Sequence, residues 1–358
     1  MRIKNINIGI QAWFDERIGL QSITKFLRGK KVPQHKHSIW YYTGSSILLF
    51  FSISVLTGFM LVFYYKPTLE KANESVGRIM TEVPLGWIMR SIHSWSASFM
   101  IAFVFVHLIS IWLTKAHRKP RELTWMSGVF LLVVSLALGF TGYLLPWDDL
   151  SVSATKVGTD IPRSIPVVGS WVTKLLRGGE DVTGDTLTRF FGFHVSILPL
   201  FILILIGLHV YFIQKQGISI PLGLERKEER VKELPFWPNF VYREMVVWLL
   251  LLGILFTLSI FFPPSLDKAA DLMAPAPEGI KPEWYFLFLF QVLKVFPSKV
   301  LFINGDTLAI ILMLFFGIFF FFLPLIDNRP AEKKGKIITF IAYAFIFFAI
   351  VMTVWSLM

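Results

Sequence analysis

The sequence predicts an all-α integral membrane protein with seven spans, a four-helix bundle followed by three further transmembrane helices. Three observations predict it. Hydrophobic residues make up 54% of the 358 positions, more than a soluble domain carries. Seven apolar stretches, at about 44–65, 90–114, 125–146, 190–213, 244–262, 307–326 and 337–357, are each long enough to cross a bilayer, and their central portions hold no Asp, Glu, Lys or Arg. The net charge of +11 is sorted rather than spread. Basic residues crowd the N-terminus and the 115–121, 215–243 and 328–336 loops, which alternate in a seven-span count. This positive-inside pattern places the N-terminus on the cytoplasmic n-side and the C-terminus on the p-side. It also argues against a nucleic-acid partner.

Residues 1–38 read as an interfacial segment, with Ile8, Ile10, Trp13, Phe14 and Ile18 set among charges and no early apolar run of the kind a secretory signal needs. Spans one to four fill 44–213. The loop at 146–189 is too long for a simple turn, and short helices punctuated by Pro162, Pro166 and Gly178–Gly179 are expected in it. The polar, Pro- and Glu-rich connector Leu222–Pro238 is the expected boundary. It divides the chain into 1–222, a cytoplasmic linker 223–243, and 244–358. A second long p-side loop covers 263–306. The apolar run Trp284–Leu293 within it is too short to span and reads as a surface or re-entrant helix. Two large loops on one side suggest a site assembled there.

Four histidines lie inside the uncharged second and fourth stretches. His93 and His107 are 14 residues apart, and His194 and His209 are 15 apart. Either spacing spans roughly 21–23 Å of helix and returns to about the same face. A buried imidazole is expensive at lipid depth unless it has a partner. The two spans run parallel, so His93 pairs in depth with His194 near the p-side, and His107 with His209 near the n-side. Two stacked bis-histidine sites are what two haems need. Gly44 and Gly58 on the first span, and Gly128 and Gly142 on the third, repeat the 14-residue spacing. They are expected to make gaps for a flat macrocycle, or to allow close helix packing. A lone histidine would read as a packing residue or proton relay; four at matched depth do not. His35, His37 and His117 lie in basic stretches and are expected to be solvated. Cysteine is absent, which excludes a thioether-linked haem, so any haem is held by histidine and packing.

With these residues in view the chain resembles cytochrome b of the bc and b6f complexes, most closely a cytochrome b6 fused to a subunit IV-like part. The first part carries Arg90-Ser-Ile-His-Ser-Trp-Ser-Ala-Ser98, Lys119-Pro-Arg-Glu-Leu-Thr-Trp125 and Gly142-Tyr-Leu-Leu-Pro-Trp-Asp148. The second carries Pro282-Glu-Trp-Tyr285 and Pro324-Leu-Ile-Asp-Asn328. The resemblance implies two non-covalent b haems, with His93 and His194 on the p-side iron and His107 and His209 on the n-side iron. It implies that Arg90 and Arg121 meet haem propionates, and that Glu283, Tyr285 and Tyr143 line a p-side quinol-oxidation pocket. It further implies a core subunit of a quinol:cytochrome c (or plastocyanin-like acceptor) oxidoreductase that couples quinol oxidation to proton translocation. The expected partners are a Rieske-type iron–sulfur protein, a cytochrome c-type subunit, membrane lipid and quinone, in a homodimeric complex of the bacterial inner membrane. Ser94, Gln214 and Tyr42 depart from the family pattern; Tyr42 stands about where the b6 form has its haem-tethering cysteine. Two other readings stay open on the residues alone. One is a dihaem membrane anchor of a quinone-linked dehydrogenase; the other is a non-redox transporter with histidine relays.

Overall fold

The computed structural model describes residues 12–225, 231–274, 277, 279–327 and 332–358. Six helices are long and apolar enough to cross a membrane: Ser38–Val62, Gly86–Leu113, Glu122–Tyr143, Gly184–Gln216, Phe236–Phe261 and Gly335–Leu357. They are called the first to fifth and the seventh spans below. The expected sixth span is a shorter helix, Gly305–Phe321, followed by the four-residue helix Leu323–Ile326. Pro324 opens that second piece, where its missing N–H costs nothing.

The fifth span begins at Phe236, eight residues before the expected 244. Upstream of it, Lys232–Pro235 pairs antiparallel with Lys31–Gln34, and a Lys31–Glu233 ion pair of 2.6 Å closes the ribbon. The connector is thus tied to the N-terminal segment by backbone pairing, which hydropathy cannot reveal. Trp13, Phe14 and Ile18 are exposed, as an interfacial segment requires; Ile8 and Ile10 lie outside the described residues.

The first span packs along the second, and the third along the fourth. Phe50, Met100, Ile101, Val134, Leu138, Ile202 and Leu205 fill the space between them. The 146–189 loop holds the helices Asp149–Arg163 and Gly169–Arg177. Asp148 caps the first with a 2.8 Å bond from the Ser151 amide. Gly178, at φ 84, ends the second in the left-handed geometry that glycine tolerates. Arg177 holds the loop from within. It is 1% exposed, and donates to Thr159 Oγ1 and to the Glu180 and Lys156 carbonyls at 2.7–2.8 Å, with Asp160 at 2.9 Å.

The second long loop is stitched to the first. Trp95 Nε1 donates to the Phe262 carbonyl at 2.9 Å, Asn73 Nδ2 to Pro146 and Asp267 at 3.1 and 3.2 Å, and the Ala270 amide to Trp147 at 3.0 Å. The run after Glu283 forms a single turn, Trp284–Phe286, and then the helix Leu287–Val295, as its length required.

His117 corrects an expectation. It is 1% exposed, not solvated, and its Nε2 stands 3.1 Å from Asp327 Oδ2. His35 and His37 are half-buried, and His35 Nε2 meets Tyr41 Oη at 2.7 Å. A basic neighbourhood predicts exposure only when no later segment folds over it.

Candidate functional site

The four span histidines converge in two pairs inside the bundle. His93 and His194 have ring centres 6.1 Å apart, with planes at 74°. Two imidazoles sharing one metal through Nε2 sit about 6 Å apart centre to centre, given metal–nitrogen bonds of about 2.0 Å. His107 and His209 lie within electrostatic reach of each other one depth further along.

The unequal spacings are reconciled by the backbone. Phe193–Ile197, which contains His194, is a π-helical turn within the fourth span. Such a turn takes up one residue more than an α turn, so a 15-residue interval covers the rise and rotation of 14.

Each ring is held at Nδ1, and the surrounding bonds fix its tautomer. His93 Nδ1 lies 3.0 Å from the Ser54 carbonyl, and His194 Nδ1 3.0 Å from the Leu138 carbonyl. A carbonyl only accepts, so each Nδ1 carries the proton. His107 Nδ1 lies 2.8 Å from Thr43 Oγ1, whose own hydrogen goes to the Trp40 carbonyl at 2.6 Å. His209 Nδ1 lies 2.9 Å from Ser127 Oγ, whose hydrogen goes to the Thr124 carbonyl at 2.9 Å. These hydroxyls must accept, so here too Nδ1–H donates. All four Nε2 atoms are left as bare lone pairs, the state a metal ligand needs.

Each of the four glycines lies against an imidazole ring from the neighbouring span. A Cβ built at Gly142 would lie 2.6 Å from His194 Cε1, at Gly58 2.9 Å from His93 Cε1, at Gly128 3.3 Å from His209 Cε1, and at Gly44 3.5 Å from His107 Cε1. A hydroxyl residue precedes each glycine: Thr43, Thr57, Ser127 and Thr141. Thr57 and Thr141 also approach the Nδ1 atoms of His93 and His194, at 3.1 and 3.4 Å. The repeated hydroxyl–glycine pair was visible in the sequence, and only its glycine half was read.

The donor set bears on the occupant. Among the described residues no group of three or more His, Cys, Asp or Glu could hold a metal. Two facing imidazoles supply two ligands, and a macrocycle would have to supply the others. The arrangement fits haem iron and does not fit a protein-ligated zinc site.

Arg90 donates to the Pro264 and Ser265 carbonyls at 2.8 and 2.9 Å and touches Met80 Sδ at 3.4 Å. Arg121 donates to the Gly217 and Gln216 carbonyls at 3.3 Å. Each thus anchors chain at a span end. At the opposite face from the N-terminus, Tyr143 lies within electrostatic reach of Glu283, Asp148 and Asp267. Tyr285 is 6% exposed, and its hydroxyl occupies the space beside Gly139, where a Cβ would come within 2.5 Å. Gly139 was not read from the sequence. Burial pushes the Glu283 carboxyl above the usual carboxylate range, opposed by a bond from the Trp284 amide.

Two further residues went unread. At the head of the fifth span Glu244 lies beside Ser45, and Arg243 beside Tyr42, whose ring stacks on Phe240 at 4.9 Å. Ser45 follows Gly44 directly, so this carboxylate sits at the depth of His107. Charges at the head of an otherwise apolar span were the available signal.

Two family models match the chain: "Cytochrome b/b6/petB" over residues 27–217 and "Cytochrome b(C-terminal)/b6/petD" over 269–358. A cytochrome bc complex cytochrome b subunit of Chlorobaculum thiosulfatiphilum is 42% identical over 346 residues, covering 96% of this chain and 80% of that one. A cytochrome b6 of Acaryochloris marina is 47% identical over 210 residues, 59% of this chain and 97% of the relative. Among solved structures, a hyperthermophilic respiratory Complex III superposes with a TM-score of 0.86 at 30% identity, covering 97% of this chain and 91% of that one.

Proposed function

The chain belongs to the cytochrome b/b6 family as the cytochrome b subunit of a bc/b6f-type, quinol-oxidising complex, and from that premise we propose how its residues divide the work. It is a multi-pass membrane protein and the core of an oxidoreductase, and its haem is of the non-covalent b type, since no cysteine exists to tether one.

Two haems b are held, one by His93 and His194, the other by His107 and His209. When bound, they carry single electrons between the two membrane faces. The observation that carries this reading is the 6.1 Å facing of His93 and His194 with both Nδ1 protons committed elsewhere. The Nδ1 bonds orient each ring and raise the basicity of Nε2. The aliphatic and aromatic packing between the spans keeps water from both sites.

Quinol is oxidised at the face opposite the N-terminus, between the 146–160 segment and the Pro282-Glu-Trp-Tyr285 turn. Glu283 accepts a quinol proton at a carboxyl already made more basic by burial. Tyr143 and Tyr285 shape the pocket. At the n-side, Glu244, beside Ser45, delivers protons to quinone. Arg90 and Arg121 sit at the depths where propionates would be met while anchoring carbonyls. The division into 1–222, 223–243 and 244–358, a cytoplasmic N-terminus in a bacterial inner membrane, and a homodimeric complex with Rieske-type and cytochrome c-type partners follow from the same reading. A cytochrome c or plastocyanin-like protein is the final acceptor.

The test is Glu283→Gln in the native complex. Loss of quinol oxidation with both b-haem bands intact supports this assignment. Full activity contradicts it and favours a simple dihaem anchor.

A further inference from the structure

Lys115, His117 and Asp327 form a buried charged cluster that the electron-transfer role does not use. Lys115 Nζ lies 2.7 Å from Asp327 Oδ2 and 3.2 Å from the Gly335 carbonyl, and His117 Nε2 lies 3.1 Å from the same Oδ2. The Lys115 side chain is 7% exposed and the other two are at 0%. The cluster joins the turn after the second span to the two ends of the short connection between Leu323–Ile326 and the seventh span.

Three features set it apart from an incidental ion pair. Lys115 sits at φ 60, a left-handed backbone that a side chain with a Cβ occupies only when its surroundings compel it. Among the described residues, His117 Nδ1 and Asp327 Oδ1 are buried with no hydrogen-bond partner. The next residue faces the other way: Arg118 pairs with Glu225 and donates to the Ile220 carbonyl at 3.2 Å. One turn therefore grips the segment after the fourth span on one side and the last helices on the other.

We infer that Lys115, His117 and Asp327 are a latch that sets the docking register of the sixth and seventh helices on the second and third spans. Beneath it the contact is greasy: Leu108, Trp112, Trp125, Val129, Leu323 and Ile338. Apolar surfaces of this kind slide, because membrane lipid is as apolar as they are. Trp125 Nε1 to the Phe320 carbonyl, at 2.8 Å, is a further directional tie there. A buried ion pair adds little net stability over an apolar substitute, but it penalises every register that leaves a charge unpaired. Among the described residues at the head of the seventh span, Glu332, Lys333 and Lys336 are exposed. The seventh span packs against Leu287–Val295, so its register also places the helix that follows Glu283.

The chain has no cysteine of its own, so Lys119→Cys and Lys336→Cys add one pair of thiols per copy for nitroxide labels. Distances are measured by pulsed EPR in the complex as purified. This readout rests on docking geometry alone, so it can fail while the haem and quinol assignments stand. The parent is expected to give one narrow distribution for the distance within a copy. Lys115→Met with Asp327→Leu, which leaves no charge stranded, is expected to keep both b-haem bands and broaden the distribution, and Asp327→Glu to keep it narrow. A narrow distribution in the double variant overturns the latch. Acid titration of the parent gives a second test that needs no substitution. The distribution is expected to broaden reversibly as Asp327 is protonated, and one that stays narrow through that titration while the haem bands persist also overturns it.

Discussion

A Cβ at Gly142 would stand 2.6 Å from Cε1 of His194, inside any carbon–carbon contact. The clearance is specific to glycine, and the same relationship recurs at three other positions with graded severity. Gly142→Ala and Gly58→Ala should displace an imidazole and lose the p-side haem. Gly128→Ala should weaken n-side binding, and Gly44→Ala, at 3.5 Å, should be tolerated. Overpacking costs about 1–3 kcal/mol where the neighbour cannot yield. Haem content per chain across the four variants checks the order. Equal retention in all four contradicts it.

The hydroxyls of Thr43 and Ser127 accept the Nδ1 protons of His107 and His209. Thr43→Val or Ser127→Ala removes a bond worth about 1 kcal/mol and makes Nε2 a poorer donor to ferric iron. The n-side haem potential should rise by a few tens of mV, roughly the equivalent of that energy for one electron. Thr57→Val should move the p-side potential less, because His93 keeps the Ser54 carbonyl. Redox titration of the two b bands separates the cases.

Burial raises the Glu283 carboxyl, so it ionises at a higher pH than a free glutamate. It can take a quinol proton only when ionised. Quinol oxidation should rise with pH through that raised value. Glu283→Gln should remove this limb of the profile as well as slowing the rate, whereas a mutation that merely perturbs packing would leave the limb in place.

Burial opposes ionisation of Asp327, but hydrogen bonds from His117 and Lys115 outweigh it and hold the carboxyl below its usual value. A depressed acid adds stability at pH above its unfolded value, and that contribution is lost as pH falls through the folded one. Asp327→Asn should therefore destabilise the complex at neutral pH, by several kcal/mol if Lys115 is left buried and unpaired, and by much less in acid. Thermal denaturation of variant and parent at the two pH values checks the sign.

Much of this architecture could be read from the chain. Uncharged apolar length gave the spans, and paired spacings placed His93 with His194. What escaped was long-range. His117 looked solvated because nothing local shows that Asp327 folds over it from 210 residues away. The π turn that holds His194 was not foreseen, because it leaves no mark in hydropathy. The ribbon of Lys31–Gln34 with Lys232–Pro235 has four residues on each strand, one of them proline, so alternation was silent. Glu244 was passed over because a charge at a span end ordinarily marks the interface.

The central claim is that two facing imidazole pairs each hold a b haem. Pyridine haemochrome quantitation of the purified complex, with its reduced-minus-oxidised spectrum, tests it most directly. The account predicts two b haems per chain, falling to one in His107→Ala with His209→Ala while the p-side band survives. One haem in the parent, or no change in that variant, would contradict it.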